Sequence, residues 1–174
     1  MATDLPAKPG VLLEVLGQGL LLQGEAGIGK SELALGLVDR GHGLVADDRV
    51  EFFCDDQGRL CGRARPGCEG FLALRDLGVI NLAKIQAKAA QTTQLPIALV
   101  IQLVARLESD RLSPVVEDWS VLDCHVPAWS LVALPGRNLP LLVETIVRLN
   151  QLALQGYDAT IDLQSKLAQG EVKP

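Results

Sequence analysis

The stretch Gly24-Glu25-Ala26-Gly27-Ile28-Gly29-Lys30-Ser31 constrains this chain more than any other. It fits the pattern G-x-x-x-x-G-K-[ST] at every fixed position, and the pattern works in one setting: a buried strand delivers the loop and a helix leaves it. Glycines let successive backbone N–H groups turn inward around a phosphate with no Cβ in the way. Lys30 can reach the outer phosphates, and Ser31 offers its hydroxyl to Mg²⁺. The flanks supply the required setting. Gly19-Leu20-Leu21-Leu22 reads as a buried strand, and residues 31–40 read as a helix with Leu33, Leu35, Leu37 and Val38 on its apolar side. Gly41 ends that helix just after Arg40. A helix in this position points its partly positive N-terminus at the phosphates. The competing reading, a glycine-rich turn without function, has to explain a full match between strand and helix. The loop alone names no phosphoryl acceptor.

A chain of 174 residues with 48% hydrophobic content can bury one substantial core. The expected division is a flexible lead-in over 1–9, a single domain over 10–168 and a tail over 169–174, with no internal repeat or linker. A formal net charge of −5 argues against sequence-independent nucleic-acid binding, which needs a basic face along a whole backbone. A single nucleotide needs only a local site. No apolar run approaches the roughly 18 residues of a membrane helix, and Met1-Ala2-Thr3-Asp4-Leu5-Pro6 lacks a charged-then-apolar signal layout, so a cytoplasmic protein is expected. Cys54, Cys61 and Cys68 are spaced by seven residues, and Cys124 stands apart. Without C-x-x-C pairs they read as reduced thiols rather than a metal cluster.

Before the loop, apolar runs over 10–16 and 19–23 flank Gly17-Gln18, which predicts an antiparallel hairpin. After the first helix, Leu44-Val45-Ala46 is a short strand that delivers Asp47 and Asp48. Carboxylates one helix and one strand beyond a phosphate loop stand where a metal is held or a hydroxyl activated. An Asx-rich turn is the bland alternative. Adjacent side chains on a strand face opposite ways, so the two are not expected to share a role. Residues 49–53 and 59–63 alternate around Asp55-Asp56-Gln57-Gly58, a second hairpin. Residues 82–94 read as helix or loop, 97–103 as a buried strand after Pro96, and 108–114 as a charged loop. Strands are expected over 121–126 and 129–134 around Pro127. Pro135-Gly136-Arg137-Asn138 then opens a helix with Leu139, Leu142, Val143, Ile146, Val147 and Leu149 at helical spacing, and 159–168 adds another.

Together the phosphate loop, Arg40-Gly41-His42-Gly43-Leu44-Val45-Ala46-Asp47-Asp48-Arg49-Val50, Leu77-Gly78-Val79-Ile80-Asn81 and Pro135-Gly136-Arg137-Asn138-Leu139 resemble the catalytic domain of HPr kinase/phosphorylase. Only the loop is general; the combination, in order from about residue 10 to 159, is specific. The resemblance implies an α/β fold: a P-loop kinase domain akin to phosphoenolpyruvate carboxykinase, with a mixed sheet, antiparallel hairpins and C-terminal helices. It also implies a homo-oligomer, a hexamer, that uses ATP and Mg²⁺ on a serine of the phosphocarrier protein HPr, with phosphorolysis as the reverse reaction. Family members carry a further N-terminal domain, so the chain resembles a short, catalytic-domain-only form.

Carried over by residue, the resemblance implies that Gly24, Glu25, Ala26, Gly27, Ile28, Gly29, Lys30 and Ser31 bind the nucleotide and that Ser31 ligates Mg²⁺, with Asp47 beside it. Lys30 is also counted as catalytic. Asp48 matches the base that takes the serine proton, and Arg111 matches a catalytic arginine able to offset phosphoryl charge. Residues 134–139, with Arg137, match a segment needed for dephosphorylation. Three positions depart from the family: Pro9 stands for a His, Ala73 for a metal-ligand Glu and Asp76 for a Gly. These departures bear most on the phosphorylase direction. They also sustain a rival reading, a nucleotide-binding regulatory or scaffold protein without turnover. A small-molecule kinase is the weaker third reading, because no separate lid or substrate-binding insertion is evident.

Overall fold

A computed structural model describes residues 5–85, 92–106 and 114–169. Within them the chain runs β1 (Ala7–Pro9), β2 (Val11–Val15), β3 (Gln18–Gly24), α1 (Lys30–Asp39), β4 (Gly43–Ala46), β5 (Arg49–Cys54) and β6 (Leu60–Ala64). Next come β7 (Phe71–Leu74), β8 (Gly78–Asn81), α2 (Leu82–Ile85), β9 (Gln94–Val104), β10 (Val116–Val121) and β11 (Cys124–Val132). Helices α3 (Leu139–Leu154) and α4 (Ala159–Ala168) complete the order. The main sheet follows β1-β5-β6-β9-β3-β2-β4, with β11 joined to β9 and β10 outside β11. Strand β9 is its spine. Residues 94–96 pair antiparallel with β6, whereas the later part lies between β3 and β11, both parallel to it. The mixed sheet with antiparallel hairpins and C-terminal helices is thus as expected.

Both faces of the central strands are covered, which is why β3 carries a continuous apolar run instead of alternating with polar residues. Leu20 and Leu22 join Leu13, Leu99, Ile101 and Leu103 against Leu33, Leu37 and Val38 of α1 and Val143 and Val147 of α3. Leu21 and Leu12 point the other way, into a second core with Val50, Phe52, Leu60 and Val100. There β6 lies so close that a Cβ on Gly62 would come within 2.7 Å of the Leu12 side chain. A larger residue at 62 would push the two layers apart.

Helix α3 begins as its sequence predicts: the Asn138 side chain accepts a hydrogen bond from Leu141 N at 3.2 Å. It is tied to the end of α1 by a buried acid. The Arg40 guanidinium donates from Nε and Nη2 to both Glu144 carboxylate oxygens at 2.7 and 2.6 Å, and His42 Nε2 lies 3.0 Å from Oε1. The bidentate Arg40 contact, reinforced by His42, pulls the Glu144 carboxyl down to about 2. Glu144 is therefore proton-free in the folded chain well below the usual carboxylate range. Its stabilisation is fully present above the ordinary value of 4.5 and is lost as pH falls from there toward about 2. Glu144→Gln is expected to cost about 1–3 kcal/mol at neutral pH. Urea unfolding at stepped pH should show the variant's deficit shrinking across that acid window.

Four readings are corrected. The lead-in includes a strand: Ala7–Pro9 pairs with residues 49–51, and Phe52 N donates to Pro6 O at 2.9 Å. Proline is tolerated there because β1 is the sheet edge and needs no further donor. The first hairpin turns at Leu16-Gly17, both with positive φ, so Gln18 already belongs to β3. Strand β9 starts at Gln94, two residues before Pro96. Pro127 does not divide two strands but lies within β11; the turn is at Leu122-Asp123, with φ of 53° and 57°. Pairing of β11 with β9 begins only at Ala128, so the missing N–H of Pro127 costs nothing on that side. Of residues 82–94, α2 ends at Ile85, while the charged loop over 108–114 falls almost wholly outside the described residues, as do the first four residues and those beyond Gln169.

Candidate active site

Strand β3 ends at Gly24, whose φ of 142° starts the loop; a Cβ there would lie 2.6 Å from Leu103 O. Gly27 and Gly29 follow at φ 81° and 101°, and Gly29 is the N-cap of α1 with no side chain closing the helix start. The first-turn N–H groups are left facing the loop. Lys30 Nζ folds back to donate to Gly24 O and Glu25 O, each at 2.9 Å. A primary ammonium held on two loop carbonyls can exchange them for phosphate oxygens without rebuilding the loop.

Strand β4 runs alongside β2 and carries Asp47 to the same edge, where the Ser31 hydroxyl donates to Asp47 Oδ1 at 3.0 Å. Asp47 Oδ2 accepts from the backbone N–H of Ala73 on β7 at 2.9 Å. Burial pushes the Asp47 carboxyl above its ordinary value, against the lowering effect of these hydrogen bonds. A carboxylate short of water beside a hydroxyl is a hard-oxygen pair suited to Mg²⁺, which favours the charged form. Among the described residues no cluster of three or more His, Cys, Asp or Glu forms a metal site. Mg²⁺ here would draw its remaining ligands from phosphate and water.

Strand β4 ends at Ala46, so alternation along a strand does not set the direction of Asp47 or, next to it, of Asp48. The φ of Asp48 is 67°, its carbonyl accepts from Gly10 N at 3.1 Å, and its exposed carboxylate makes no hydrogen bond or ion pair among the described residues. The left-handed conformation suits Asp better than most residues. Asp47 is thus committed and Asp48 is free.

Arg75 was not singled out from the sequence. It follows β7 at the β7–β8 turn, and a Cβ on Gly27 would stand 3.2 Å from Arg75 Nη2, so the guanidinium lies over the phosphate loop. Its place in Leu74-Arg75-Asp76, just before the Leu77–Asn81 motif, was the available signal. Arg137 is at the same edge: Gly24 pairs with Leu103 and Val132 with Val104, and Arg137 Nη1 donates to Val132 O at 2.9 Å. Among the described residues no hydrogen bond or ion pair joins the Arg137 side chain to the loop. Arg111 lies outside the described residues. Pro9 ends β1 opposite Arg49, one residue beyond Asp48.

Fold and site together define a P-loop-type kinase domain. The chain belongs to the family described as HPr Serine kinase C-terminal domain, whose model matches residues 3–167. It is 40% identical over 159 residues to the HPr kinase/phosphorylase of Cupriavidus necator, covering 90% of this chain and 49% of that protein. It is 41% identical over 158 residues to the protein of the same name from Neisseria meningitidis, covering 88% and 49%. The chain therefore spans about half the length of these relatives. The solved structure of the Hpr(Ser) kinase/phosphatase from Coxiella burnetii superposes with a TM-score of 0.79 at 34% identity, covering 91% of this chain and 98% of that one.

Proposed function

We propose that this chain is an ATP- and Mg²⁺-dependent serine kinase acting on HPr, with the reverse phosphorolysis as a second activity. The observation that carries this reading is the division of labour at one sheet edge: Lys30 on the loop, Ser31 bonded to Asp47, and Asp48 beside them with an uncommitted carboxylate. Glycine-rich backbone from Gly24 to Gly29 cradles phosphates, while Lys30 and Arg75 present cations above and beside them. Ser31 and Asp47 would hold Mg²⁺, which supplies neutralisation of phosphate charge when bound. Asp48 accepts the proton of the substrate serine, so that its oxygen attacks as an alkoxide-like nucleophile; in the reverse direction Asp48 returns a proton. Arg111 and Arg137 complete the proposed catalytic set. Relatives named HPr kinase/phosphorylase support HPr as acceptor and nucleotide as donor.

The chain contains no helix among its described residues long and apolar enough to cross a membrane, in keeping with cytoplasmic action. Exposed Leu77, Val79 and Ile85, with Ile161 and Leu163 on α4, supply apolar surface for a homo-oligomer, which we take to be a hexamer. The scaffold alternative draws its support from Ala73, which brings only a backbone N–H to Asp47 where the family motif has a carboxylate.

Purified HPr incubated with this chain and Mg-ATP should gain the mass of one phosphate, read by intact mass. Nucleotide binding without any transfer would make the chain a nucleotide-binding scaffold and overturn the kinase reading.

A further inference from the structure

Far from the phosphate loop in sequence, two thiols separated by 70 positions meet. Cys54 closes β5 at the β5–β6 turn, Cys124 opens β11 after the β10–β11 turn, and their sulfurs are 3.3 Å apart. Neither position is dictated by strand pairing, since β5 lies between β1 and β6 while β11 lies between β10 and β9. The contact is made by two separate hairpins folding over the second core. Cys54 is exposed and Cys124 half-buried, so a small oxidant reaches them from solvent. Cys61, opposite Phe53 on β6, is buried.

We propose that Cys54 and Cys124 form an oxidisable dithiol, which hydrogen peroxide converts into an intramolecular disulfide stapling the β5–β6 hairpin to the β10–β11 hairpin. Cys54 attacks first, because it is the more exposed sulfur and because Cys124 is held as the thiol by its hydrogen bond with Cys54. Cys124 also has Gly58 O as an acceptor, at 3.8 Å. In the first step the Cys54 sulfur takes one peroxide oxygen, the O–O bond breaks, and Cys54 sulfenic acid and one water form. In the second, the Cys124 sulfur attacks the Cys54 sulfur. The S–S bond forms, the S–O bond breaks, and the departing hydroxide takes the Cys124 proton as a second water. Two thiols are oxidised by two electrons and one peroxide is reduced. A dithiol reductant reverses the change by exchange. Burial pushes the Cys61 thiol up, with the Asp55 carboxylate acting in the same direction, so Cys61 stays a bystander. Exposed Cys68 serves as the internal comparison. The staple would act on the strand pair that follows residues 107–113, which carry Arg111, and that ends at Val132, the acceptor for Arg137.

The full chain, reduced and desalted, is exposed to hydrogen peroxide, alkylated without reductant and digested for mass spectrometry. The expected product is one cross-linked peptide pair joining Cys54 to Cys124, reversed by dithiothreitol, with Cys61 and Cys68 alkylated. In Cys124→Ser the oxidation should stop at Cys54 sulfenic acid, trapped as its dimedone adduct. Equal alkylation of all four cysteines after peroxide would overturn the proposal. So would a principal product that links two chains, or over-oxidised Cys54 with Cys124 still free in the wild type.

Discussion

Asp48→Asn is expected to slow phosphoryl transfer to HPr by about 10²- to 10⁴-fold while leaving nucleotide affinity near that of the wild type. Asn has almost the same shape, and it tolerates the φ of 67° at this position as well as Asp does. The exposed carboxylate makes no bond within the described fold, and its backbone carbonyl keeps the Gly10 hydrogen bond in either variant. What Asn lacks is the capacity to accept a proton. Asp47→Asn is the matched comparison, because its carboxylate is engaged by Ser31 and by Ala73 N. That change should weaken Mg-nucleotide binding and alter the metal dependence of the rate, since it acts on the Ser31 pair. Transfer is followed by intact mass and affinity by calorimetry, for wild type and both variants. An Asp48→Asn protein as active as the wild type would remove the base assignment and leave the rest of the site standing.

Lys30→Ala should abolish transfer and reduce Mg-ATP affinity by about 10- to 10²-fold, the equivalent of about 1.5–3 kcal/mol for hydrogen bonds to a charged donor. Two loop carbonyls also lose their donor, Gly24 O and Glu25 O, so loop integrity has to be separated from phosphate binding. Lys30→Met keeps the length of the side chain without its charge and takes the donor from the same two carbonyls, so stability without nucleotide provides that separation. If both variants bind weakly yet melt within about 1 kcal/mol of the wild type without nucleotide, the loss belongs to the phosphate contact. Unchanged affinity in both would mean that residues 24–31 are not the nucleotide site.

The features read correctly from the residues are those fixed by short-range chemistry. Positive-φ glycines and an apolar run identified the strand, loop and helix around Lys30. Gly41 ended α1 through the N–H bonds that Gly41 and His42 send back to Val38 and Leu37, and Asn138 capped α3. Alternation along a strand does not extend to Asp47 and Asp48, which follow the end of β4 at Ala46. Local rules failed where the fold overrode preference. Leu122 and Asp123 take positive φ that leucine in particular disfavours, because the β10–β11 hairpin demands that twist. Pro127 reads as a breaker only to an observer unaware that β11 has a free side there.

Everything that joins distant segments was decided by the tertiary structure. Composition and spacing do not say that Ala73 N will meet Asp47, that Arg75 will lie over Gly27, or that Arg40 and His42 will share Glu144. Nor did the even spacing of three cysteines indicate that Cys54 would find Cys124 instead. The sequence by itself determined a phosphate loop in its strand-to-helix setting and the carboxylates of the following strand, because glycine conformations, capping and side-chain periodicity act within a few residues. The strand order around β9 and the company each site residue keeps depend on burying both faces of one sheet, and that is a property of the whole chain.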